Sequence, residues 1–304
     1  MTVHLIMVTY NSSPFLEACL LSLDGEDARV VLIDNSEDPE ERARTARIAA
    51  SHSARYLSAG GNIGFGAGVN RGVAAASPEA TDWIWLLNPD TEVETGCLAK
   101  LIEAAGQQAS SIVSPLITTG PERNQVWFAG GDQDLRRGRT VHRGYGRPVE
   151  GLSISTTECT FITGAAPLIS ASLWQALDGM REDLFLYWED ADFSERARAV
   201  GATLKVVPEA RVWHRVGASG GEPSDGMSAN YHYYLQRNRL ILAAEMTDSW
   251  ILPLFTTGRE VVRSLAIAAI REKSSRMSKF RSSVQGVVDG LTYSRKQLAL
   301  RGHR

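Results

Sequence analysis

From the amino terminus, short apolar runs alternate with stretches whose apolar positions recur every three to four residues, and Gly, Pro, Asn, Asp or Ser punctuates each change. That alternation predicts βαβ units on a mainly parallel sheet. Val3 to Thr9 reads as the first strand, followed by a helix capped by Ser13, with Pro14 at its first position, that runs to about Leu23. Val30 to Asp34 is a second strand, Pro39 to Ser51 a second helix and Arg55 to Ser58 a short third strand. A helix over Ala67 to Ala76 and a strand over Trp83 to Leu87 follow. Beyond residue 110 the alternation weakens, and glycine-rich runs at Ala129 to Asp132 and Arg137 to Gly146 suggest hairpins or a mobile loop. Pattern returns over Cys159 to Ser170, a helix begins after Asp192, a strand covers Thr203 to Val207, and another helix covers Ser228 to Ala244.

Charge adds a division that the pattern does not show. Residues 250 to 304 hold 11 Lys and Arg against 3 Asp and Glu, a net of +8, while the preceding 249 carry 21 against 32, a net of −11. The chain therefore reads as a domain over 1–246, in halves 1–110 and 111–246, followed by a basic amphipathic helical extension over 247–304. The stretch from Ile251 to Ile270 is apolar, but Arg259, Glu260 and Arg263 interrupt it at a depth where charge is costly in a bilayer. Two uses of the extension stay open. One is peripheral contact with anionic lipid on the inner face of the cell membrane, with Trp250, Leu252, Leu254 and Phe255 as the apolar part. The other is a helical hairpin that closes a homodimer or covers an acceptor groove. An acidic body without a recognisable reading module argues against nucleic acid. Cys19, Cys97 and Cys159 lie too far apart in sequence to suggest a zinc site or a disulfide framework, and with no signal-peptide layout at the start they fit a cytoplasmic protein.

In open α/β sheets ligands bind at the carboxyl edge, and polar residues stand where several of the predicted strands end. Thr9, Tyr10 and Asn11 end the first strand, Asp34 and Asn35 the second, and Asn88 to Asp90 a later one; each can equally be a turn former. The run from Gly60 to Gly72 bends the chain tightly into a helix whose amides can face a ligand, and its spacing and position both differ from a dinucleotide fingerprint. Asp90 has the placement to hold Mg2+ or Mn2+ with a substrate's phosphates, or else caps an Asx-type turn. In Trp188-Glu189-Asp190-Ala191-Asp192, the spacing of Asp192 to Glu195 is that of a capping box, which leaves Glu189 and Asp190 before the helix. Asp190 is the candidate general base for an acceptor hydroxyl; the alternative is a solvated acid. His214 is a ligand for the same cation or a structural histidine, and Arg237 or Arg239 can meet a diphosphate.

In this order, Val8-Thr9-Tyr10-Asn11, Ile33-Asp34-Asn35, Asn62-Ile63-Gly64-Phe65-Gly66 with Asn70, Leu87-Asn88-Pro89-Asp90, Trp188 to Asp192 and Trp213-His214 resemble glycosyltransferase family 2, especially its rhamnosyltransferase-like branch. The resemblance runs from about Val3 to Ala244. It implies an α/β protein of the GT-A fold, with a mainly parallel Rossmann-like sheet, a mixed acceptor half and the helical extension. It also implies an inverting transfer of a sugar, rhamnose from dTDP-rhamnose or a hexose or galactofuranose from UDP, from a nucleotide diphosphate to a glycan or lipid-linked glycan. By the same resemblance Asp34 meets the base, Thr9, Tyr10 and Asn11 border the nucleotide, and Asn62, Gly64, Phe65 and Asn70 line the donor pocket. Asn88, Glu189 and Arg237 complete the donor contacts, Asp90 and His214 hold the metal, and Asp190 is the base. Asn88 stands in the first acidic slot of the family's D-x-D, as the branch often has it. A sugar nucleotidyltransferase would need a basic glycine-rich triphosphate loop, which Tyr10 to Pro14 is not. A sugar-nucleotide-binding module without catalysis would not need Asp190.

Overall fold

The computed structural model describes residues 1–106, 110–150, 157–215 and 227–301. In chain order they form β1 (Val3–Thr9), α1 (Ser13–Leu21), β2 (Arg29–Asp34), α2 (Pro39–Ser51), β3 (Arg55–Ser58), α3 (Phe65–Ala76), β4 (Trp83–Leu86), β5 (Thr91–Val93), α4 (Cys97–Ala105), β6 (Ser111–Thr119) and β7 (Gln125–Phe128). They continue with β8 (Gly131–Asp134), β9 (Arg139–His142), β10 (Thr157–Glu158), β11 (Leu168–Ser170), α5 (Ala171–Ala176), α6 (Glu189–Ala199), β12 (Thr203–His214), α7 (Ala229–Thr247), α8 (Leu252–Thr256), α9 (Gly258–Ala266) and α10 (Arg276–Arg301). The chain divides into two compact units. Among the described residues the first holds 1–132, 142–183 and 189–215, and the second 133–141, 184–188 and 227–301.

The first unit is built on one sheet of order β10-β12-β6-β11-β4-β1-β2-β3, with β5 added on β12 and β7 on β6. The four strands from β4 to β3 run parallel, β11 lies antiparallel between β4 and β6, and β12 runs parallel to β6. The middle strands are apolar almost without a break because both sheet faces are covered: every residue of β4 is buried, as are six of the seven in β1. α3 lies close on one face. A Cβ on Gly72 would come within 2.5 Å of Ile6, and one on Gly68 within 2.9 Å of Val8. Part of the glycine-rich signature thus serves helix-on-sheet packing and not ligand approach.

β6 is a nine-residue strand in the stretch where the sequence pattern weakens. Its Pro115 stands opposite Val207, and there the register jumps so that Leu116 pairs with Arg211. Residues 208–210 of β12 bulge outward at this jump, where a proline without an N–H breaks the ladder at least cost. β12 consequently continues past Val207 to His214 as one strand.

Two local expectations are corrected. Ser13 opens α1 without capping it: its N–H and hydroxyl donate to the Glu41 carboxylate at 2.8 and 2.7 Å, and the helix ends at Leu21. α6 begins at Glu189, not after Asp192. Tyr187 and Trp188 have φ of 65° and 75°, which ends the preceding loop, and three acids in the first helical turn suit the positive end of the helix dipole. Asp192 sits inside that turn and pairs with Arg196 at 2.7 Å and Arg181 at 3.6 Å.

In the second unit α7 packs along α10, where a Cβ on Gly290 would lie 2.7 Å from the Arg237 carbonyl. His232, Glu272 and Lys279 form a buried chain of contacts at 3.1 and 2.7 Å. Among the described residues no helix is long and apolar enough to cross a membrane. The loop from Leu184 to Trp188 holds three non-glycine residues in the left-handed region, Phe185, Tyr187 and Trp188, a strained conformation for aromatic side chains. One side chain secures it. The Asn238 amide nitrogen donates to the carbonyls of Leu184, Leu186 and Tyr187 at 2.8, 2.9 and 2.9 Å. Asn238→Ala removes that donor from three carbonyls and should lower stability by about 2 kcal/mol or more, read as the midpoint of urea unfolding.

Candidate active site

The carboxyl ends of β1 and β2 bury a carboxylate in a ring of donors. Asp34 is fully buried; its Oδ1 accepts from the Ser36 N–H at 2.9 Å and the Thr9 hydroxyl at 3.3 Å, and its Oδ2 from the Tyr56 hydroxyl at 3.0 Å. Tyr10 is exposed beside it, and Asn11, at φ 52°, turns the chain while donating its N–H to Ser36. The Asn35 amide donates to the Gly64 carbonyl at 3.0 Å, which ties the second strand end to the glycine-rich turn. Within that turn Asn62 accepts from the Gly64 N–H at 3.1 Å, and Gly64, at φ 89°, precedes the first helical residue, Phe65. Asn70, farther along α3, has both ends of its amide engaged with Met180 and donates also to Glu182, so it fastens the helix to the turn near residue 180.

At the end of β4, Asn88 donates its N–H to the Ala165 carbonyl and accepts the Thr91 hydroxyl on its own carbonyl, a turn that places Asp90 below the surface. The bulged strand β12 delivers His214 to the same place. β5 pairs with it so that Thr91 stands opposite His214, and the Arg215 N–H donates to the Asp90 carbonyl. Nε2 of His214 lies 3.1 Å from Asp90 Oδ1, its Nδ1 has no protein partner, and the ring stands edge-on to Trp127 at 4.5 Å between centroids. A carboxylate oxygen and an imidazole nitrogen at this separation suit neighbouring ligands of one octahedral cation, for which bonds of about 2.1 Å give roughly 3 Å between them. Among the described residues no group of three or more His, Cys, Asp or Glu could hold a metal. A cation here would take its remaining ligands from a diphosphate and water, as Mg2+ and Mn2+ do.

Asp190 reaches the same edge through a short piece of backbone. Its Oδ2 accepts from the Gly164 N–H at 3.1 Å and its Oδ1 from the Ala191 N–H at 2.8 Å, and the carbonyl of the following residue, Ala165, is the one that holds Asn88. The Phe65 ring lies beside Asp190 at Gly164, where a Cβ would come 3.3 Å from the ring and 3.6 Å from the Asp190 Cβ. Burial raises the Asp190 carboxyl to about 6, although the N–H groups of Gly164 and Ala191 pull against the rise. Glu189 is buried more completely; burial and the neighbouring Asp190 charge raise it to about 8, and its Oε2 has no partner. Near pH 7 the pair therefore holds one charge and one proton.

Arg237 lies in the second unit, where its guanidinium donates to Asn238 and covers the Tyr293 ring. Three residues at the site are absent from the reading of the sequence. Tyr56 sits inside an ordinary strand pattern and gives no signal, and Trp127 stands in a stretch of weak periodicity. Gly164 had a signal in the small residues of Thr163-Gly164-Ala165-Ala166, a run suited to close backbone approach.

The model of the family described as Glycosyl transferase family 2 matches residues 4–164. N-acetylglucosaminyl-diphospho-decaprenol L-rhamnosyltransferase of Mycobacterium tuberculosis is 28% identical over 283 residues, which cover 84% of this chain and 88% of that one. The dTDP-rhamnosyl transferase RfbF of Shigella flexneri is 20% identical over 297 residues, 95% of each chain. Among solved structures, the mannosyltransferase PcManGT from Pyrobaculum calidifontis in complex with GDP-Man and Mn2+ aligns with a TM-score of 0.57 at 12% identity, covering 98% of this chain and 86% of that one. The fold is GT-A.

The raised Glu189 carboxyl has a consequence for stability. The folded chain keeps a proton on Glu189 that the unfolded chain loses near its ordinary value of 4.5, so this contribution is complete below that value and is lost as pH rises through about 8. Glu189→Gln should raise the melting temperature at pH 9 by at least about 2 °C and leave it nearly unchanged at pH 4, measured by thermal unfolding across the pH range.

Proposed function

The chain belongs to glycosyl transferase family 2 and is a glycosyltransferase, and we propose that it moves L-rhamnose from dTDP-rhamnose to a hydroxyl of a lipid-linked glycan, with inversion at the anomeric carbon. The donor and acceptor classes follow the relatives' names: one acts on an N-acetylglucosaminyl-diphospho-decaprenol and the other carries dTDP-rhamnosyl in its name. The observation that supports the chemistry best is the Gly164-Ala165 segment, which holds Asp190 by the N–H of its first residue and the Asn88 turn leading to Asp90 by the carbonyl of its second.

In this reading Asp34, with Thr9 and Tyr56 fixing its carboxylate, meets the base of the nucleotide. Tyr10, Asn11, Asn62, Gly64, Phe65 and Asn88 border the donor, with Asn70 holding α3 in place beneath it. Protonated Glu189 has an O–H to donate. Asp190 accepts the proton of the acceptor hydroxyl while that oxygen bonds to the anomeric carbon; the bond to the nucleotide diphosphate breaks on the opposite face and its electron pair leaves with the diphosphate. Asp90 and His214 are the residues to hold a divalent cation, which when bound offsets the charge developing on the leaving group. The Mn2+ in the PcManGT complex supports a metal of this class.

Turnover with dTDP-rhamnose, set against UDP-hexoses and UDP-galactofuranose, tests the donor, and preference for a UDP sugar would replace rhamnose. Asp190→Asn should lower kcat by at least about a thousandfold with donor affinity within about twofold; near-normal turnover removes Asp190 from the role. Because the base must be ionised, wild-type kcat should fall about tenfold per pH unit below about 6. Asp90→Ala should abolish the gain in donor affinity that Mg2+ or Mn2+ gives in titration calorimetry, and an unchanged metal response would exclude Asp90 as a ligand.

A further inference from the structure

The second unit exposes an apolar ridge that contains none of the residues assigned above to the transfer. Phe255 is 78% exposed, and Ile251, Leu252 and Leu254 beside it are each exposed by more than two-fifths. The ridge continues through α9 and the π-helical turn Ile267–Arg271, where Val262 is 65% and Ile270 70% exposed. On this segment Val262, Ala266 and Ile270 are spaced four residues apart with Arg259 and Arg263 alongside, and all are exposed, while Ser264 and Ala268 on the other side are buried. One face thus carries an apolar row edged by guanidinium groups. Of the neighbouring cations, Arg259, Arg271 and Lys273 make no ion pair among the described residues, and Arg263 makes only a long one to Glu260 at 3.8 Å.

We infer that this ridge is a docking face for an anionic lipid surface, with the α8–α9 segment lying in the plane of the interface. Charge decides between occupants. The ridge carries Arg259, Arg263, Arg271 and Lys273 against Glu260, so two copies of the face brought together would repel, whereas lipid phosphates complement the cations and acyl chains take up Phe255, Val262 and Ile270. The segment cannot cross the bilayer: Arg259, Glu260 and Arg263 interrupt it, and among the described residues no helix is long and apolar enough. The inference stands independently of donor and acceptor identity.

Sedimentation of the full chain with vesicles of phosphatidylcholine alone, or with about 30% phosphatidylglycerol, tests it. The chain should bind the anionic vesicles and release as salt rises. Phe255→Ser with Ile270→Ser should weaken that binding by roughly tenfold or more. Arg259→Ser with Arg271→Ser should remove most of the preference for anionic over neutral vesicles, by roughly fivefold for each charge. These positions are exposed, and an unchanged melting temperature confirms that each variant folds. Wild-type protein that stays in the supernatant with anionic vesicles overturns the inference. So does light scattering that shows a dimer split by the Phe255 and Ile270 changes while vesicle binding is unaltered, because a second copy then covers the face. Vesicle binding is read without donor or acceptor, so its outcome is separate from that of the transfer assays.

Discussion

Carboxylates gathered at one sheet edge, and buried there, set the terms for the first unit. Asp34, Asp90 and Glu189 are buried and Asp190 is half-buried beside them, and a carboxylate withdrawn from water must find donors, share a proton or lose its charge. The chain meets this requirement differently at each. Asp34 collects a backbone N–H and two hydroxyls, Asp90 takes an imidazole, Asp190 takes two backbone N–H groups, and Glu189 keeps its proton. Much of the surrounding architecture exists to deliver these partners. The parallel strands bring Thr9 and Tyr56 to Asp34, the long β12 brings His214 to Asp90, and the segment before β11 brings Gly164 to Asp190.

Differences in environment make chemically similar groups unlike. Glu189 and Asp190 are consecutive, yet only Asp190 has N–H donors from Gly164 and Ala191, so its charge is the one retained near neutrality. A helix start loaded with three acids would favour ionising all of them, since the dipole is positive there. Burial outweighs the dipole at Glu189, and Asp192 in the same turn pairs with Arg196 and Arg181.

The amino-terminal half of the fold was legible because β1 and β4 are apolar on both faces and the turns around them carry Gly, Pro, Asn and Asp. β1, α2 and β3 have the bounds that their patterns predict. β6 escapes the pattern because Ser, Pro and Thr interrupt its apolar run, and its Pro115 is tolerated only opposite a bulge that lies ninety residues away in sequence. The start of α6 is misread because Asp192 and Glu195 have capping spacing, while the determinant is the left-handed backbone of Tyr187 and Trp188, which side-chain identity does not reveal. The same limit applies at the site. Local pattern singles out the acids, but the peptide groups of Gly164, the hydroxyl of Tyr56 and the three-carbonyl grip of Asn238 are products of tertiary contact and leave no periodic trace.

The bulge in β12 has an evolutionary corollary. Residues 208–210 stand off the ladder while Arg211 to Trp213 pair with β6 and Val212 to His214 with β5, so a residue added within the bulge would enlarge it and leave the imidazole facing Asp90. Length change is therefore tolerated within residues 208–210 but not between Arg211 and His214, where one added residue would turn the imidazole to the opposite face of the sheet.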